Sequence, residues 1–185
     1  MPHAKGSEAS RHYPFAFSQT GMSDPYEEII NGERMLRLPP RPRHEEILAR
    51  LHQRVAECVN ALATTRLLVA RTPLQVSPRS LLRPDLALIT AATGKLWLVA
   101  EVISSDDHHA DTVDKKVIYE EVRLPRLWMV DPRYDNVEVY HGSQYGLSLK
   151  HVLAGRELLT EGLLPGFQLG LHELFAGSPA GKYDF

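Results

Sequence analysis

From residue 47 to residue 62, apolar side chains return at Ile47, Leu48, Leu51, Val55, Cys58, Val59 and Leu62, the three-and-four spacing of one buried helix face. The breaker run Pro39-Pro40-Arg41-Pro42 precedes that helix. Upstream, Ile29-Ile30 and Met35-Leu36 flank Asn31-Gly32, a dipeptide suited to the positive φ angles of a type I′ turn, so a β-hairpin is expected. Downstream, Leu67 to Ala70, Leu86 to Ile89 and Leu96 to Ile103 form short apolar runs bounded by Pro, Ser, Thr and Gly, the pattern of strands in a largely buried sheet. A second helix is expected from about Ala110 to Arg123. Strands at Leu127 to Val130, stopped by Asp131-Pro132, and at Val137 to Tyr140 follow it. Leu147 to Leu153 reads as a further strand, Leu164-Pro165-Gly166 as a turn, and Leu171 to Phe175 as a short closing apolar segment. Residues 1–22 mix His, Ser, Gly and Pro without a period and read as a partly ordered arm, which leaves residues 23–185 as one α/β domain without internal repeats.

Composition narrows the class. The chain has 185 residues, 43% hydrophobic and 24% charged, which fits one ordinary globular domain. A chain of this size buries roughly 70% of its unfolded surface, enough for a core without disulfides or structural metal. The single cysteine, Cys58, excludes an internal disulfide framework and falls on the apolar stripe of the first helix, a core position and not a nucleophile's. No run approaches the roughly 20 apolar residues of a membrane span, and the N-terminus lacks the apolar centre of a secretory signal, so a cytoplasmic location is the default expectation. Lys and Arg total 21 against 23 Asp and Glu, a formal net charge of -2, so no overall basic excess draws nucleic acid. Neither a Gly-rich phosphate loop nor a nucleophile elbow is present.

One residue breaks the apolar pattern in an informative place. Glu101 stands alone within Leu96-Trp97-Leu98-Val99-Ala100-Glu101-Val102-Ile103, where an uncompensated charge costs several kcal/mol. Asp85, directly after Pro84 at the start of the preceding strand, is a second acid in such a setting, and adjacent strands would bring the two carboxylates together. Carboxylates that close repel unless a cation or a shared proton intervenes. Hard oxygen ligands with room for water suit Mg²⁺ or Mn²⁺ better than zinc. The bland reading has Asp85 capping a turn and Glu101 at an exposed strand end or paired with an arginine. On the second helix, Asp111, Lys115 and Tyr119 follow at intervals of four on one face, so Lys115 reaches the carboxylates if that face looks at the strand end. The alternatives are an exposed Asp111-Lys115 pair, worth about 0.2 to 0.5 kcal/mol, and a core role for Tyr119.

The order of these motifs resembles the Uma-two family of restriction-endonuclease-like proteins, within the PD-(D/E)xK nuclease superfamily. The resemblance rests on Pro84-Asp85, Glu101-Val102-Ile103-Ser104, then Asp111, Lys115 and Tyr119, then Trp128 with Val130-Asp131-Pro132. It extends to the hairpin with Gly32-Glu33, to Arg43-His44 before the long helix, to Leu164-Pro165-Gly166 and to Glu173-Leu174-Phe175, and covers about residues 26 to 175. It implies a mixed central sheet flanked by helices and a metal-dependent endonuclease acting on nucleic acid, DNA before RNA. Asp85 and Glu101 would bind Mg²⁺ or Mn²⁺ with help from the Val102 carbonyl, and Lys115 would stand in for the superfamily lysine. That lysine usually follows the second acid by two positions, where this chain has Ile103. Glu33 matches the family's early glutamate and Tyr119 a family tyrosine, both candidate accessory residues.

The chain departs from the family at Ser104-Ser105-Asp106-Asp107-His108-His109, where a Ser-Pro-Ser type of turn is commoner, and at Arg123-Leu124-Pro125, where a glycine turn is commoner. Contiguous loop residues cannot all converge on one ion, so the acidic and imidazole run reads as a solvated loop entering a helix. The basic turn of Arg41, Arg43 and His44 reads as a phosphate contact or a solvated helix end. The competing function class is a catalytically inactive module of the same fold that binds nucleic acid or a protein partner. A homodimer of it would align basic residues near Arg41, Arg43, Arg79 and Arg83.

Overall fold

The computed structural model describes residues 24–104 and 109–177. The expected N-terminal arm and residues 105–108 of the acidic loop lie outside the described residues. Asn31 and Gly32 take φ angles of 53° and 92°, and they close the expected hairpin of β1 (Tyr26–Ile30) and β2 (Glu33–Arg37). The long helix α1 (Pro42–Val59) starts with proline in its first turn, where a missing N–H costs nothing, and buries Ile47, Leu48, Leu51, Val55 and Val59.

Strands β3 (Thr65–Leu67), β4 (Leu74–Ser77), β5 (Ser80–Leu82), β6 (Leu86–Thr90) and β7 (Leu96–Val102) follow. The second helical segment is not one regular α-helix. Ala110–Asp114 forms a π-helical turn, and α2 runs only from Lys115 to Glu121. Arg123, in the Arg123-Leu124-Pro125 segment where the resemblance leads one to expect a glycine-containing turn, takes a φ of 56°, so a left-handed residue closes the turn although its side chain is an arginine's. The remaining described elements are β8 (Arg126–Asp131), β9 (Asn136–Ser143), β10 (Gly146–Ala154), β11 (Leu158–Thr160), β12 (Gln168–Gly170) and the single turn α3 (Leu171–Leu174).

Six strands form the central sheet in the order β10-β9-β8-β7-β6-β3. Among the described residues only β7 and β8 pair in parallel, which requires the crossover that the π-helical turn and α2 provide. A second sheet has the order β2-β1-β5-β4. The expected α/β architecture with a mixed sheet and flanking helices is therefore present.

Alternation along β7 divides the core. Leu98, Ala100 and Val102 join α1, Trp128 and the C-terminal residues Leu164 and Phe167 in one cluster. Val99 and Ile103 join Ile30, Ile118 and Tyr119 in the other, between α2 and the hairpin. Glu101 belongs by parity to this second face, so its carboxylate meets α2 and β1.

Candidate active site

At the C-terminal end of β7, Asp85, Glu101, Val102, Lys115, His44 and Arg37 line one small cleft open to solvent. Asp85 precedes β6, which runs antiparallel to β7 with Leu86 opposite Ala100. That register places the Asp85 side chain across the end of β7, where the Val102 N–H donates to its Oδ2 at 2.9 Å. The expected convergence of the two acids thus follows from one strand pairing.

Asp85 is surrounded by donors. His44, in the first turn of α1, donates from Nε2 to Oδ1 at 3.1 Å, and Arg71 donates to the same oxygen at 3.2 Å. Arg71 sits in a turn with a φ of 58°, and its guanidinium also meets Glu45 at 2.7 Å. Burial alone would raise the Asp85 carboxyl, but the charge and hydrogen bond of His44, then Arg71 and Lys115, outweigh it and hold the group well below the usual carboxylate range. His52, one helical stretch further, gives its Nε2–H to the Asp85 carbonyl at 2.8 Å, and burial pushes its pKa down. The Tyr26 hydroxyl, raised by burial and then by the charge of Asp85, stays protonated.

Glu101 is met from α2. Lys115 Nζ lies 3.2 Å from its Oε2, and the Tyr119 hydroxyl donates to its Oε1 at 2.6 Å. The one-face spacing of Lys115 and Tyr119 therefore serves this carboxylate. Lys115 is 1% exposed, and a buried ammonium requires compensation. Part of that compensation comes from Glu28 on β1, whose Oε1 lies 3.1 Å from the same nitrogen. Three carboxylates, Glu28, Asp85 and Glu101, thus face the cations Lys115, Arg37 and Arg71.

Two readings change. Glu33 is exposed and pairs with Ile30 beside the hairpin turn, away from the cleft, so the early glutamate brought to the cluster is Glu28. The strand explains the difference: Glu28 is in phase with the inward Ile30, a signal that the alternation in Tyr26-Glu27-Glu28-Ile29-Ile30 already carried. His44, considered as part of a basic turn on phosphate, is buried against Asp85. The Asp111 side chain lies outside the described residues, while His109 is exposed and faces Asp114 at 3.3 Å. Arg71 and Arg37, which no motif singled out, are brought in by tertiary contact, while Arg83, expected in a basic patch, gives its backbone N–H to Glu28.

Among the described residues, no three His, Cys, Asp or Glu side chains form a closed metal cage. The cleft instead offers Asp85 and Glu101, and one or two carboxylates completed by water and phosphate oxygens are the set Mg²⁺ accepts. The donor chemistry therefore fits a hard divalent ion.

A family model described as "Putative restriction endonuclease" matches residues 19–172. The chain belongs to the Uma2 family. A crystal structure described as a "putative nuclease belonging to DUF820", from Anabaena variabilis, superposes with a TM-score of 0.69 at 16% identity, over 83% of this chain and 91% of that one. This likeness shows that the Uma2 chain has the fold of that protein. No curated protein matches the chain. No helix among the described residues is long and apolar enough to cross a membrane.

Proposed function

We propose that this Uma2 chain is a metal-dependent endonuclease that hydrolyses phosphodiester bonds of nucleic acid, with DNA as the first substrate to test. The observation that carries the reading is the shared cleft of Asp85, Glu101 and Lys115. Asp85 and Glu101 would hold Mg²⁺ or Mn²⁺, with the Val102 carbonyl as a further oxygen donor. When bound, such an ion stabilises charge on a phosphoryl group and acidifies a water.

Lys115 provides a positive charge beside Glu101 that offsets the negative charge building on the phosphate, and its N–H groups orient an attacking water. Tyr119 fixes the direction of the Glu101 carboxylate, while His44, Arg71 and the Val102 N–H fix Asp85. Arg37 lines the same cleft and adds attraction for a phosphate backbone.

A second reading has one observation in its favour: both oxygens of Asp85 and both of Glu101 already accept hydrogen bonds from the protein. That arrangement also suits a non-catalytic module whose acids are structural. Cleavage of plasmid and single-stranded DNA with Mg²⁺ or Mn²⁺, by the wild type, Asp85→Asn and Lys115→Ala purified identically, separates the two. Cleavage lost in both variants supports the nuclease. No cleavage, or equal cleavage by all three, supports the binding module.

A further inference from the structure

Glu28 is fully buried and does not line the cleft, so whatever it does for substrate it does through another residue. Its Oε1 accepts the Arg83 backbone N–H at 2.6 Å, and its Oε2 lies 3.5 Å from the Arg37 guanidinium. The carboxylate is thereby anchored independently of Lys115. The Lys115 ammonium stands almost midway between two acids, 3.1 Å from Glu28 and 3.2 Å from Glu101. One carboxylate balances the single charge of a buried lysine, whose three N–H donors leave room for a second acceptor. The second carboxylate, held by a backbone N–H, is a further acceptor for the same ammonium.

We infer that Glu28 is a positioning residue that shares Lys115 with Glu101 and so eases the release of the Glu101 carboxylate from the ammonium to a divalent cation. This rests on the metal-dependent reading given above. Without the Glu28 charge, Lys115 settles on Glu101, and an incoming cation must displace it. Orientation through a group behind the ligand typically changes metal affinity by about 10- to 100-fold when removed.

Calorimetric titration of the full chain with Mn²⁺ alone tests this, on the wild type, Glu28→Gln, Lys115→Met and the double variant, with folding followed by circular dichroism. Glu28→Gln should raise the Mn²⁺ Kd about tenfold with Lys115 present. In the Lys115→Met background the same substitution should leave the Kd unchanged, because no ammonium remains to be shared. Glu28→Asp keeps the charge but withdraws it by one methylene, so it should weaken binding less than Glu28→Gln, again only with Lys115 present. This variant carries the test if Glu28→Gln does not fold. A Glu28→Gln Kd equal to that of a wild type that binds Mn²⁺ and cleaves would overturn this inference alone. A Glu28 effect that persists in the Lys115→Met background is plain charge attraction and overturns it too. No Mn²⁺ uptake by the wild type would overturn both this inference and the reading beneath it.

Discussion

The phenolic hydroxyl of Tyr119 donates to Oε1 of Glu101 at 2.6 Å, and the bond joins α2 to β7 inside the second core cluster. Tyr119→Phe keeps the ring and removes only that donor. A buried acceptor that loses its partner costs about 1 to 3 kcal/mol, so the urea midpoint should fall accordingly. Cleavage should weaken without disappearing, since Lys115 still meets the other oxygen. An unchanged midpoint would show that water replaces the hydroxyl without cost.

The hairpin and α1 were legible because Asn31-Gly32 and the apolar stripe from Ile47 to Leu62 are local signals. Glu101 was legible as a charge in an apolar strand, and Lys115 with Tyr119 as one helical face. Strands β4, β5, β11 and β12 were not, because three or four residues fix no period and their pairing is decided by tertiary contact. The π-helical turn at Ala110–Asp114 has no compositional mark. Arg71 reaches Asp85 from a turn, and nothing local predicts where a long side chain on a turn will dock.

Trp128 and Phe167 stack with ring centroids 5.4 Å apart, which fastens the C-terminal segment to the central sheet. Phe167 is almost fully buried, so Phe167→Ala removes both transfer energy and packing. The expected destabilisation is about 3 to 5 kcal/mol, measured by urea denaturation. A loss below about 1 kcal/mol would mean that this segment contributes little to the fold.

His52 couples stability to pH. Burial first lowers its pKa, against the raising influence of its bond to the Asp85 carbonyl and of the Asp85 charge. Between the folded value and the ordinary value of about 6.5, the unfolded chain binds a proton that the folded chain does not. This contribution is therefore complete above about pH 6.5 and is lost as pH falls below it. Urea midpoints should drop from about pH 7.5 to about pH 5.5 more steeply for the wild type than for His52→Gln. Parallel pH dependence in the two proteins would remove His52 from the account.

In the proposed nuclease Glu101 works in phosphodiester cleavage and the exposed Glu33 does not. The most direct measurement is the rate of plasmid cleavage in Mn²⁺ by the wild type, Glu101→Gln and Glu33→Gln, each checked for folding by circular dichroism. The expected rate is at least about a hundredfold lower for Glu101→Gln, close to 3 kcal/mol of transition-state stabilisation, and unchanged for Glu33→Gln. Undiminished cleavage by a folded Glu101→Gln protein would contradict it.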